Sequence, residues 1–281
     1  MDFPHSGEHF VQRVSQGKVE SVPATLPVEE PLAIEINGQL VAVLMRTPGE
    51  DKALALGYCL SEGLVGSLSD LLLIHHCGSG ADDELFPPLP GQEGPLGAGN
   101  RVRLLLSAEA SARLQSNRPT RWVFSGCAGV DAAALGAELH VDDRGLQVDA
   151  DILLGLVPAV ARAQEAYRAT GGIHAAALFD AEGKLLALSE DVGRHNAVDK
   201  AIGVATLAGR PRAAVLVATG RASSDIVAKA ARVGIPIVAS FSSSTTLGRR
   251  LAEAAGVTLV GYLRRNRFTI YTHPERISLS S

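Results

Sequence analysis

Between residues 213 and 271 the chain repeats one pattern three times: a short apolar run that ends in a polar loop suited to an anion. Residues 213–218 lead into Thr219-Gly220-Arg221-Ala222-Ser223-Ser224-Asp225, and residues 235–239 lead into Ser240-Phe241-Ser242-Ser243-Ser244-Thr245-Thr246. Residues 257–262 lead into Arg264, Arg265, Asn266 and Arg267. Helical patterns follow the first two loops, over residues 224–233 and 245–255. Apolar strands alternating with helices predict a parallel sheet with right-handed crossovers. In such a sheet, ligands sit beyond the carboxyl ends of the strands, where helix N-termini present unpaired N–H groups and partial positive charge. Taken singly, each serine or threonine reads equally well as a helix cap, and each arginine as a solvated edge. Three such loops in register on one rim favour a phosphate-bearing ligand.

The rest of the composition narrows the class. With 281 residues, 46% of them hydrophobic, the chain can bury a large core. A formal net charge of −4 argues against a general nucleic-acid binder, which carries a basic footprint. No apolar run reaches the length of a membrane span, and the first residues lack a charged segment followed by an apolar one, so no secretory signal is expected. The three cysteines (Cys59, Cys77, Cys127) form no spaced pair. That pattern suits a reducing compartment, and a cytoplasmic protein is expected.

The pass along the chain predicts an α/β protein: a mixed sheet with helices on both faces over residues 121–281, and a smaller α+β domain over residues 29–120. Residues 1–28 are polar, contain proline and read as a flexible lead. Residues 32–36 and 39–45 flank Asn37-Gly38, a hairpin signature because both positions of a type I′ turn need positive φ. A helix follows over residues 50–63, with Cys59 on its apolar side and read as core. Residues 78–100 hold six glycines and four prolines and read as a flexible loop. His75-His76-Cys77 is not read as a metal site, since adjacent strand residues point to opposite faces and no second ligand cluster stands nearby. One long helix is expected over residues 151–169, stopped by Gly171-Gly172, then a hairpin over residues 174–188 and a helix over residues 194–207.

Two further segments carry chemistry. Cys127 lies in Phe124-Ser125-Gly126-Cys127-Ala128-Gly129-Val130, where small neighbours leave the sulfur sterically open, and a helix-like start follows at Asp131. A thiol so placed becomes reactive when cations or a helix N-terminus lower its pKa. The segment from Ser189 to Lys200 concentrates Glu190, Asp191, Arg194, His195, Asp199 and Lys200 at a strand-to-helix junction. His195 beside Arg194 reads as an anion or loop-orienting group rather than a metal ligand, and Asp191 as a possible cap.

These residues carry a resemblance. Residues 190–200 (EDVGRHNAVDK), 220–224 (GRASS), 234–237 (GIPI) and 271–277 (YTHPERI) resemble the FdhD family, as do residues 43–49 (VLMRTPG), 56–63 (LGYCLSEG) and 170–176 (TGGIHAA). The likeness spans residues 30–277, interrupted by the glycine/proline segment. It implies a sulfur carrier that accepts sulfur as a cysteine persulfide from a cysteine desulfurase. The sulfur would pass to the molybdenum bis-guanine-dinucleotide cofactor, a bound substrate destined for the formate dehydrogenase catalytic subunit. It also implies a cytidine-deaminase-like fold for the second half and a homodimer, with no permanent metal. Cys127 matches the persulfide-bearing cysteine. Tyr262, Leu263, Arg264, Arg265, Asn266 and Arg267 match the cofactor-binding segment; Gly220, Arg221, Ser223, Ser224 and His195 are assigned to the same ligand.

One departure stands out. The family typically carries Cys-x-x-Cys, whereas Val130 occupies the second position here. A two-thiol relay within this loop is excluded, but a single persulfide remains chemically sufficient. A non-catalytic chaperone that binds the molybdenum cofactor is the alternative. A zinc deaminase is rejected, because His174 is followed by Ala175-Ala176 rather than the required glutamate spacing, and no Cys-x-x-Cys exists.

Overall fold

The computed structural model describes residues 6–77, 100–116, 136, 138–141 and 145–279. It begins with a hairpin of β1 (Ser6–Ser15) and β2 (Lys18–Pro27), where the sequence reading expected a lead without elements. The turn, Gln16-Gly17, has φ of 49° and 79°, nearly the values at Asn37-Gly38 (50° and 78°). The backbone is thus the same type I′ geometry without the asparagine that makes it legible. Among the described apolar side chains of this ribbon only Val11, Val22, Ala24 and Pro27 are half-buried, while Phe10, Val14 and Val19 stay exposed, so its period-2 signal is weak.

Next come β3 (Glu30–Ile36), β4 (Gln39–Arg46), α1 (Asp51–Ser61), β5 (Leu71–Cys77), β6 (Arg101–Leu106) and α2 (Ala108–Ser116). The four strands form a sheet in the order β4-β3-β6-β5. Of the glycine/proline segment, only Asn100 lies within the described residues. The expected domain boundary between residues 120 and 121 lies outside them.

The second half contains β7 (Val148–Asp149), α3 (Ala150–Ala163), α4 (Glu165–Thr170), β8 (His174–Phe179), β9 (Leu185–Asp191), α5 (Arg194–Leu207) and β10 (Val215–Ala218). It closes with α6 (Ser224–Arg232), β11 (Ile237–Ser240), α7 (Thr246–Ala255), β12 (Thr258–Arg264), β13 (Arg267–Thr272) and β14 (Ile277–Ser278). The helix expected over residues 151–169 is two helices. Gln164 breaks it at ψ 89°, and the Glu190 carboxylate accepts the N–H groups of Ala166 and Tyr167, each at 2.8 Å, to start the second. Pro158 stays inside the first.

Six strands run in the order β13-β12-β11-β10-β8-β9. β10, β11 and β12 are mutually parallel, and β8 is antiparallel to both β10 and β9. The carboxyl ends of β9, β10, β11 and β12 therefore share one rim with the amino end of β8.

Alternate residues of the strands feed two cores. Val215 and Val217 of β10 and Ile237 and Ala239 of β11 pack with Leu153, Leu156 and Val160 of α3. Leu216, Val238 and Leu259 pack with Val198 and Ile202 of α5, Ile226 of α6 and Leu251 of α7. Helices thus cover both faces, which is why these strands read as continuous apolar runs. The second core continues into α1 and the four-stranded sheet. No helix of the described residues is long and apolar enough to cross a membrane.

α1 and α5 cross in backbone contact. A Cβ on Gly57 would lie 1.7 Å from the Asp199 carbonyl oxygen, and one on Gly203 would lie 1.9 Å from the Ala53 carbonyl oxygen. Glycine is required at both positions.

Candidate functional site

The rim is held by reciprocal contacts between successive loops. Ser240 Oγ donates to the Gly220 carbonyl at 2.7 Å and accepts the Ser242 N–H at 2.9 Å. Ala222 donates to the Ser243 carbonyl at 3.1 Å, while Ser244 Oγ donates to the Ala222 carbonyl at 3.0 Å. Tyr262 donates to the Ser242 carbonyl at 2.8 Å, which ties in the third loop. Gly248 approaches so closely that a Cβ there would meet the Ala222 carbonyl oxygen at 2.8 Å. Several hydroxyls of residues 240–245 are therefore engaged in building the rim, and Thr245 Oγ1 caps α7 by accepting the Gly248 N–H at 3.0 Å.

A fourth loop joins from β9. Most of its charged residues are structural. The Asp191 carboxylate is fully buried, accepts the N–H groups of Thr47 (3.0 Å) and Gly193 (2.8 Å) and an Asn196 amide proton (3.0 Å), and pairs with Lys200 at 2.8 Å. Lys200 also donates to the Thr47 carbonyl at 2.7 Å. Asp199 pairs with buried Lys229 at 2.9 Å and accepts the Ser61 hydroxyl at 2.6 Å. Charge in this segment thus clamps α1, α5, α6 and the residues 45–47 turn together. Glu190 caps α4, whereas the cap expected of Asp191 is not formed, since its carboxylate accepts the N–H of Gly193 ahead of the first turn of α5.

Arg194 and His195 remain at the rim. Gly193 is the N-cap of α5 and Ser223 that of α6, and neither provides a side-chain cap. The buried atoms Arg194 Nε, His195 Nε2 and Ser223 Oγ have no hydrogen-bond partner. Ser224, next to Ser223, is 6% exposed. The aliphatic part of Arg194 lies over Gly220, where a Cβ would meet its Cδ at 2.9 Å. The Asp225 carboxylate stands 3.7 Å from His195 Nε2. Burial, and then the Arg194 charge, push the His195 pKa down to about 4 against the pull of Asp225, so its ring is neutral at pH 7. His174, at the amino end of β8, lies 3.3 Å from Thr219 Oγ1, and burial and Arg194 lower its pKa too.

The sequence-assigned residues distribute unevenly. Gly220, Ser223, Ser224 and His195 gather at the β9–β10 end of the rim, while Arg221 is exposed beside them. Tyr262–Arg267 span the end of β12, the turn at Arg265-Asn266 and the start of β13 at the other end, and their side chains diverge. Leu263 is fully buried in the core beside α3, and Arg265 lines a cavity of about 560 Å³ along α3 with Asp151 and Arg162. Arg264 donates to the carbonyls of Phe241 and Leu263. Arg194, Thr219 and His174 join the site although the sequence reading did not assign them to the ligand. Unpartnered donors on two helix N-termini signal the importance of Arg194, and only the strand order reveals it.

Cys127 and Val130 lie outside the described residues. Cys59 is buried in α1, and burial, with Asp199 nearby, pushes its thiol well above the ordinary range, so it is no nucleophile. Cys77 is buried at the end of β5. Among the described residues no three His, Cys, Asp or Glu side chains gather as a metal set.

Comparison with known proteins gives a coherent result. The model of the FdhD/NarQ family matches residues 27–278. A sulfur carrier protein FdhD of Thermoplasma acidophilum is 39% identical over 263 residues, covering 90% of this chain and 86% of the relative. One of Mycobacterium tuberculosis is 38% identical over 275 residues, covering 95% of this chain and 97% of the relative. A crystal structure described as a formate dehydrogenase accessory protein of Desulfotalea psychrophila has the same fold, with a TM-score of 0.73 at 24% identity, covering 98% of this chain and all of that one.

Proposed function

The chain belongs to the FdhD/NarQ family, and from that premise we propose that it carries sulfur on Cys127 to a guanine-nucleotide form of the molybdenum cofactor during formate dehydrogenase maturation. The donor is the persulfide of a cysteine desulfurase. The Cys127 thiolate attacks the outer sulfur of that persulfide, the desulfurase thiolate leaves, and Cys127 then bears the persulfide. The S–S bond then breaks, and the outer sulfur passes as sulfane sulfur to a reduced molybdenum centre of the bound substrate, which would supply the two electrons that bring it to the sulfide level. The Cys127 thiolate is regenerated. The recipient is the catalytic subunit of formate dehydrogenase, in the cytoplasm.

One observation carries the nucleotide half of this reading: the rim offers unpartnered polar groups of Arg194, His195 and Ser223 at two helix N-termini. That set suits the charge of a pyrophosphate linkage. The sulfur half rests on the family relationship and on the residues around Cys127.

Incubation with desulfurase and cysteine, followed by intact-mass spectrometry, tests the carrier step. The expected result is a gain of about 32 Da, one sulfur atom, that dithiothreitol removes and that Cys127→Ala lacks. Val130, which stands where the family carries a second cysteine, favours the chaperone alternative. No adduct on the wild type together with a clear adduct on Val130→Cys would establish that alternative.

A further inference from the structure

The rim has two ends that differ in what they leave available. At the β12–β13 turn, Arg264 already donates to two backbone carbonyls, Leu263 faces the core and Arg265 turns to the α3 side. At the β9–β10 end, the N-termini of α5 and α6 meet. Arg194 Nε, His195 Nε2 and Ser223 Oγ are buried without hydrogen-bond partners, and Ser224 beside them is nine-tenths buried. Buried polar atoms in folded proteins are almost always paired. Three open groups in one place, on two partial positive charges, describe a seat for an anion.

Resting on the nucleotide reading above, we infer that the substrate's pyrophosphate sits at this end, on Arg194, His195, Ser223, Ser224 and the two helix N-termini, and that His195 takes up a proton as it binds. The charged groups facing His195 decide the second part. Arg194 of α5 and Lys229 of α6 oppose an imidazolium, while Asp225 of α6 and Glu62 after α1 favour it. Lys229 is balanced by Asp199 and Glu62. Without ligand, burial and Arg194 keep the ring neutral. A pyrophosphate beside Arg194 neutralises the cation that suppresses protonation and adds an acceptor for Nε2–H. The imidazolium then lies between the ligand and Asp225, 3.7 Å away. Nothing covalent changes: one proton moves from solvent to the ring.

Linkage fixes the sign. Between the free-state and ligand-bound pKa of His195, binding takes up a proton and affinity rises as pH falls, by at most about tenfold per pH unit for one proton. Above the bound-state pKa the dependence vanishes.

The test is calorimetric titration with diguanosine pyrophosphate, whose two diester phosphates do not titrate near neutrality, at pH 6, 7 and 8 in buffers of unequal ionisation enthalpy. The wild type is expected to bind more tightly at pH 6 than at pH 8, with net proton uptake. His195→Gln should bind with no uptake and little pH dependence. Wild-type binding that is independent of pH with no uptake overturns the inference while leaving the nucleotide reading intact, as does uptake that persists in His195→Gln. No wild-type binding at any pH overturns both. The wild-type data decide the matter even if the variant does not fold.

Discussion

The carboxylate of Asp191 accepts the backbone N–H of Thr47 at 3.0 Å, across 144 residues of sequence. Thr47 Oγ1 in turn accepts the N–H of Val192 at 3.1 Å, and Lys200 joins both by pairing with Asp191 and donating to the Thr47 carbonyl. Asn196 completes the clasp with a 2.7 Å hydrogen bond to the Met45 carbonyl. The turn after β4 is therefore plugged into the loop that carries Arg194 and His195, so the smaller sheet takes part in shaping the rim. Asp191→Asn leaves the fully buried Lys200 without its counter-charge. The expected loss is about 3–5 kcal/mol, the range for removing one partner of a buried ion pair. Urea denaturation measures it, and nucleotide affinity should fall in the variant that still folds. A loss below 1 kcal/mol would mean that Lys200 is adequately compensated by its carbonyl contacts.

The α1–α5 crossing makes a separate stability prediction. Gly57→Ala places a methyl group 1.7 Å from a backbone oxygen, and Gly203→Ala one at 1.9 Å. No rotamer change relieves a clash with backbone, so the helices must move apart. Each substitution should destabilise by about 3 kcal/mol or more, at the upper end for overpacking. Thermal melts of the two single variants check this directly.

For the cysteines, the expectation is a split. Cys127→Ala should abolish formate dehydrogenase activation and leave the unfolding midpoint unchanged. Cys59→Ala should retain activation while losing about 1 kcal/mol, because its sulfur fills a core position in α1. Full activation by Cys127→Ala would end the carrier reading.

At the arginines, the ends of the rim should respond unequally. Arg194→Gln removes a charged donor with nothing else to bind and should weaken nucleotide affinity by about 1.5–3 kcal/mol. Arg264→Gln should change it less, since that guanidinium is held by backbone carbonyls. The reverse order in calorimetry would place the phosphates at the β12–β13 turn.

Much of this arrangement was legible in the sequence, for identifiable reasons. Residues 213–264 announce their strands because both faces of the sheet are covered, and Asn37-Gly38 announces its turn by composition. Gln16-Gly17 does not, and the break at Gln164 depends on Glu190, a residue 26 positions on by sequence number. Ser223 and Ser224 were legible as rim residues from the loop pattern. Arg194 reads only as a neighbour of His195 in a charged strand-to-helix junction, because the order β10-β8-β9 that puts this junction on the same rim is not written in the sequence. Asp191, Asp199 and Lys200 looked like chemistry and are clamps, a distinction that burial makes and composition cannot.

The ligand-free protein should show the opposite face of the His195 proton. Its folded-state pKa of about 4 lies below the value of about 6.5 expected in the unfolded chain, through burial first and Arg194 second. Between those values the unfolded chain holds a proton that the folded chain refuses, so stability should fall as pH drops from 7 to 5. His174 adds to the loss with the same sign, since its pKa is also lowered. Carboxylates whose folded pKa is lowered, such as Asp70 through Arg113, lose their contribution mainly below this window. The His195 side chain is about one-third exposed, so solvent screening softens the effect. Urea midpoints at pH 7 and pH 5 without nucleotide should therefore drop more for the wild type than for His195→Gln, and saturating nucleotide should shrink that difference. Equal drops in the two proteins would show that the ring titrates like a solvated histidine and that burial at the rim does not hold it neutral.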